Sequence, residues 1–138
     1  MANGTIAFDT LQTSGQIKGS AKSLDTDYLA YGSTKVWCNY KADSESINGS
    51  LNLTSVSDFA TCNYGYNFTN NMADDDYCPT GYIRDGSDNT HLRCVQSTDG
   101  SNFTTSQLTV RPAGVNASDY LTNFDPLDIC ITIVGDIS

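Results

Sequence analysis

Between positions 82 and 93 the chain gathers Tyr82, Arg84, Asp85, Asp88, Asn89, His91 and Arg93. An aromatic face stacks on a sugar ring, while carboxylates, carboxamides and guanidinium groups supply directional hydrogen bonds to hydroxyls. That combination suits carbohydrate binding. The oxygen-rich run Asp85-Gly86-Ser87-Asp88-Asn89 reads as a turn, so these side chains are expected around the tip of a hairpin. The same residue types also occur as plain solvent-facing strand and turn residues, and Arg84 is equally suited to an ion pair between subunits.

Bond-breaking chemistry finds less support. His91 is the only histidine, and no G-x-S-x-G elbow accompanies it as a nucleophile. Cys94, three residues on, falls on the opposite face of a strand from His91, so the two do not form a Cys-His pair. Asp74-Asp75-Asp76 and the 85–89 run lack the D-x-D-x-D-G spacing with a following Glu that a calcium loop needs, and both read as solvated turns. Sugar cleavage requires two carboxyl groups at a set separation across a cleft, and no spacing here identifies them. A glycan-acting hydrolase is therefore a distant alternative. No catalytic residue, cofactor or metal is expected.

The elements that must position these residues are strands. Lys35-Val36-Trp37-Cys38-Asn39-Tyr40, Ser50-Leu51-Asn52-Leu53-Thr54-Ser55-Val56 and Tyr64-Gly65-Tyr66-Asn67-Phe68-Thr69 alternate apolar and polar residues, and a period of two gives each strand one buried and one wet face. The pattern predicts strands at 34–40, 50–56, 61–69, 77–84, 90–96, 103–111 and 127–134. Turns are expected at Asn48-Gly49, at 85–89 and at Asp99-Gly100-Ser101-Asn102. Residues 118–124 read as one helical turn. In the last strand Ile129, Ile131 and Ile133 share a face opposite Asp128, Cys130 and Thr132, so that strand is half-wet or sits against a partner. Short, evenly spaced strands predict an all-β domain over residues 34–138, a jelly-roll-like antiparallel sandwich or a flattened barrel, with the sandwich the leading reading.

Residues 1–33 carry too little apolar surface to fold alone and read as an extended arm that packs on a neighbouring copy or on a larger assembly. The net charge of −9, with only seven Lys and Arg, disfavours nucleic acid and anionic membranes as partners. No membrane span is expected, because no apolar run of about eighteen residues occurs. The opening residues lack a basic region followed by an apolar stretch, so no secretory leader is expected. Cys38, Cys62, Cys78, Cys94 and Cys130 are odd in number and contain no C-x-x-C pair, which favours free thiols in a reducing compartment. Asn-x-Ser/Thr triplets begin at Asn3, Asn48, Asn52, Asn67, Asn102 and Asn116. A chain this rich in Asn, Ser and Thr generates such triplets by chance, so they weigh little for a secreted glycoprotein.

The order of the three alternating segments, from Gly32-Ser33-Thr34-Lys35-Val36-Trp37-Cys38-Asn39-Tyr40 through 50–58 to 64–72, resembles a module of bacteriophage tail-fibre and appendage proteins. In that module an AKAWVNF strand precedes an S-F-N-V-S-S-I-T-D strand and a Y-x-V-N-F-T strand. Residues 4–13 are similar to the short start of many phage structural proteins, and the end, from Asp125-Pro126 to Gly135-Asp136, resembles the closing strand. About half the chain is covered. Phe59-Ala60-Thr61-Cys62-Asn63 replaces the module's usual Asn-Gly-Thr-Gly-Asp turn, so that hairpin is expected to be longer or bulged. The stretch from Cys78 to Pro112 has no counterpart.

The resemblance implies a non-enzymatic virion protein, assembled in the host cytoplasm as a homotrimer at the host-facing end of an appendage. Its arm would join other virion proteins, and its loops would meet a host surface glycan. The alternative is a capsid decoration or cement protein, with the arm clamping neighbouring capsomers.

Overall fold

The computed structural model describes residues 16–18, 23–25, 30–84, 92–96, 102–115, 121–123 and 125–138. Its strands in chain order are β1 (Gln16–Lys18), β2 (Ser23–Asp25), β3 (Thr34–Lys41), β4 (Ser46–Leu51), β5 (Leu53–Ala60), β6 (Asn63–Phe68), β7 (Cys78–Arg84), β8 (Leu92–Gln96), β9 (Gln107–Val115), β10 (Leu121–Asn123) and β11 (Asp128–Val134). Within the arm, β1 and β2 form a separate antiparallel pair.

The remaining strands make two antiparallel sheets. One has the order β4-β3-β11-β7; the other runs β10-β9-β6-β5, with β8 also paired to β9. The chain changes sheet between β4 and β5, β6 and β7, β7 and β8, and β10 and β11. As a result β11 lies between β3 and β7, and β9 pairs with both β6 and β8. This is the all-β, jelly-roll-like sandwich the alternation predicts. Among the described residues no helix is long and apolar enough to cross a membrane.

The pleat explains the core. In β3 Val36, Cys38 and Tyr40 point inward, and in β11 Ile129, Ile131 and Ile133 do the same at 2% exposure or less. Each fully buried Ile contributes about 1.5–3 kcal/mol relative to leaving it in water. Opposite them, β6 and β9 supply Tyr64, Tyr66, Phe68, Leu108 and Val110. Edge-to-face contacts join Tyr40 to Tyr64 and Tyr66, and Phe68 to Tyr77. Gly81 of β7 admits Val95 of β8, because a β-carbon there would sit 2.6 Å from the valine Cγ2.

Several expected boundaries move, each for a local reason. The segment 50–56 is not one strand but the end of β4 and the start of β5, which belong to different sheets. Asn52 breaks it with φ 54°, a left-handed conformation that Asn tolerates better than most residues. Its side chain fixes the corner: Oδ1 accepts from the Asn70 N–H at 2.7 Å, and Nδ2 donates to the Asn70 carbonyl at 3.1 Å. The reversal expected at Asn48-Gly49 lies instead at residues 42–45, with Glu45 at φ 50°, and Gly49 is a strand residue beside a register shift.

The β5–β6 connection is bulged rather than longer. Register shifts fall between Leu53 and Ser55 and between Asp58 and Ala60, and Ala60 pairs Asn63 across Thr61 and Cys62. Cys62 sits at φ 63°. Its N–H donates at 2.7 Å to Asp125 Oδ1, which also accepts from the Tyr64 hydroxyl at 3.1 Å. The strand expected at 103–111 begins only at Gln107. Thr104 Oγ1 accepts from the Gln107 N–H, closing a turn that leaves Phe103 as an isolated bridge to Leu108. The helical turn expected at 118–124 is replaced at Leu121–Asn123 by β10, which pairs with Val115, Gly114 and Ala113.

Candidate functional site

The pleat that buries one side of β3 exposes the other, and the sheet β4-β3-β11-β7 turns this second side to solvent. Register places three ladders of side chains across it. Arg84, Asp128, Lys41 and Ser46 lie in one line, Tyr82, Cys130, Asn39 and Gly49 in the next, and Thr80, Thr132, Trp37 and Leu51 in the third. Tyr82 is 67% exposed and Trp37 41% exposed. They stand two strands apart and one ladder offset, which strand spacing and rise convert to about 12 Å.

Several polar groups between and around the rings are paired with one another. Asn48 Nδ2 donates to Asn39 Oδ1 at 3.2 Å, a bond that uses neither the Asn39 amide N–H groups nor the Asn48 side-chain oxygen. Thr80 Oγ1 donates to the Thr132 carbonyl. Arg84 Nε donates to Asp128 Oδ2, pairing an exposed guanidinium with a buried carboxylate. That bond and the Asp128 charge hold the Arg84 pKa above its ordinary value. Asp128 Oδ1 has no hydrogen-bond partner. Lys41 Nζ lies 3.6 Å from Asp43 Oδ1. Burial raises the Cys130 thiol pKa, and the Asp128 charge adds to the rise.

The chain matches no protein-family model, no curated protein and no solved structure.

Of the residues expected to bind, Tyr82 and Arg84 share the exposed face of β7. Arg93 has its backbone in β8, opposite Gly114 and in the other sheet. Asp85, Asp88, Asn89 and His91 lie outside the described residues. The intersubunit ion pair open to Arg84 is met within the chain by Asp128. Sequence reading missed Trp37, Asn39 and Asn48. Their signal was parity: Trp37 alternates with Val36 and Cys38, so it takes the wet side of β3 despite being the largest apolar side chain in the protein.

Two other features have structural explanations. Asp74 Oδ1 accepts from the Asp76 N–H and Asp136 Oδ1 from the Ile137 N–H, so these carboxylates organise turns. No three potential metal ligands converge among the described residues. Asn67 Nδ2 donates to Ser55 Oγ and Ser57 Oγ, both at 3.0 Å, and its Oδ1 accepts from Gln107 Nε2. A glycan on that nitrogen would break this polar network across the second sheet. The triplets at Asn67 and Asn52 are therefore occupied by the fold.

Proposed function

We propose that this chain is a non-enzymatic structural protein of a bacteriophage virion, set in a tail fibre or appendage, that attaches to host-surface carbohydrate through the outer face of β4-β3-β11-β7. The observation that carries the binding reading is the exposure of Trp37 and Tyr82 on one side of a sheet whose other side is core. Large aromatic rings exposed to water gain from being covered, and stacked sugar rings cover them while their hydroxyls meet Asn39, Asn48 and Thr80. The virion setting rests on the ordered likeness of the strands to the tail-fibre module. In this reading residues 1–33 join other virion proteins and the protein acts as a trimer.

Two experiments test it. A cryo-EM map of the intact particle locates the chain: density at the tip of an appendage supports the reading, and density on the capsid shell transfers the protein to the decoration alternative. Binding of purified protein to host cells tests attachment, with Trp37→Ala and Tyr82→Ala expected to reduce it. Equal binding by both variants sinks the assignment of this face.

A further inference from the structure

The charge and spacing of the face say more about its ligand than the two rings alone. Between the aromatic platforms the described side chains are Cys130, Asn39, Thr80 and Thr132, none of them ionised at neutral pH. At the end of the face the cation Arg84 is neutralised by Asp128, and Lys41 stands beside Asp43. Lys35, on the same parity as Trp37, donates to Ser33 Oγ. The chain as a whole carries −9, so a polyanion approaching this surface meets net repulsion.

Spacing gives the second constraint. Among the described residues the outer face of β3, β11 and β7 is an open sheet surface, which suits an extended ligand lying across it. The separation of about 12 Å between the two platforms, set by strand geometry, is about twice the advance of one pyranose along an extended chain. Rings stacked on both platforms therefore have one unstacked ring between them.

We propose that the face binds an uncharged, extended glycan strand, one sugar ring on Tyr82, one on Trp37 and the intervening ring over Cys130 and Thr132. This rests on the carbohydrate reading above and fixes its ligand class. Hydrogen bonds to the strand come from Asn39, Asn48 and Thr80. Tyr82 is one of the expected binding residues; Trp37 supplies the other stacking surface.

An array of linear glycans, neutral and acidic and from one to six sugars long, separates this inference from the reading it rests on, with dissociation constants measured for the binders. The expected result is binding to neutral strands that strengthens about tenfold from two sugars to three and then levels off. Affinity should change less than about twofold between low and high salt, because no counterions are displaced. Trp37→Ala and Tyr82→Ala should each weaken binding by about tenfold and remove the step at three sugars. Phe59→Ala, which removes an aromatic ring 53% exposed on the other sheet, is the control and should bind as the parent does. Preference for acidic strands, or equal affinity at every length, overturns the inference and leaves the carbohydrate reading standing. Binding to no glycan on the array overturns both.

Discussion

The indole of Trp37 lies over Gly49: a β-carbon at position 49 would sit 3.1 Å from Cη2 and 3.3 Å from Cζ3 of that ring. Trp37 pairs with Leu51 and Asn39 with Gly49, so the ring leans diagonally along β4 onto the one residue without a side chain. Glycine here costs strand propensity, and its missing side chain is what lets the ring approach the backbone. Gly49→Ala should lift the indole by a few tenths of an ångström. The lift is inexpensive because the ring's other side faces solvent, and the expected stability change is within about 1 kcal/mol. Trp37 is the only tryptophan, so its emission maximum reports the movement directly. A red shift on Gly49→Ala, larger on Gly49→Val, with urea midpoints nearly unchanged, is the expected result. An unshifted spectrum would mean the ring does not rest there.

Tyr66 is fully buried, and its hydroxyl has no hydrogen-bond partner. Burial drives its pKa far up, so the group stays a neutral phenol at any ordinary pH. A buried hydroxyl without a partner keeps its desolvation cost and returns nothing for it. Tyr66→Phe should therefore be neutral or stabilising by up to about 1 kcal/mol, against the usual trend for core substitutions. Tyr77 is the comparison. Its hydroxyl lies 3.1 and 3.2 Å from the carbonyl oxygens of Thr104 and Gln107, so Tyr77→Phe should destabilise by about 1 kcal/mol. Chemical denaturation of the two variants side by side checks the contrast, and loss of stability in Tyr66→Phe would show a partner at that hydroxyl.

What the sequence revealed depended on whether a residue's role was set by its neighbours along the chain or across the sheets. The alternation of Val36, Cys38 and Tyr40, and that of Ile129, Ile131 and Ile133, is local and marks the inner faces directly. The break at Asn52 is not local, because it depends on Asn70, eighteen positions away, to hold the corner. Likewise Asp125 anchors Cys62 and Tyr64 from across the sandwich, and no periodicity announces that. The candidate site divides the same way. Tyr82 and Arg84 stood out by residue type, whereas their joining with Trp37 and Asn39 required the crossover that puts β11 between β7 and β3.

The described thiols should separate by accessibility. Cys78 is exposed, Cys130 is half-buried on the candidate face, and Cys38 and Cys62 are 1% exposed. Only a thiolate that a reagent can reach reacts, and burial lifts the Cys38 pKa to about 12 and that of Cys62 to about 11. Iodoacetamide near neutral pH, followed by peptide mass analysis, should label Cys78 first and Cys130 more slowly. Cys38 and Cys62 should react only on unfolding. A bound glycan lying over Cys130 should slow its labelling and leave Cys78 unchanged. Early labelling of Cys38 would contradict the packing of β3 against the opposite sheet.

The same burial predicts an alkaline limit to the fold. Thiols ionise near 9.0 when unfolded, but burial holds Cys38 to about 12 and Cys62 to about 11. Burial, opposed by the hydrogen bond at Thr104, raises Tyr77 from 10.0 to about 12, and burial also raises Tyr40 and Tyr64. For a group that is neutral when protonated, a raised folded value means the native state keeps protons that the unfolded chain has released. The unfolded state then binds fewer protons, and stability falls as pH rises. The contribution is intact below about pH 9 and is lost progressively between about pH 9 and 12. Urea midpoints should therefore show no decline from these groups at neutral pH and decline above about 9. Tyrosinate absorbance from the buried rings should appear together with loss of the β-sheet circular dichroism signal, in one cooperative step. Titration of all the tyrosines near 10.0 with the sheet signal intact would show that Tyr40, Tyr64, Tyr66 and Tyr77 do not form the buried aromatic layer between the two sheets.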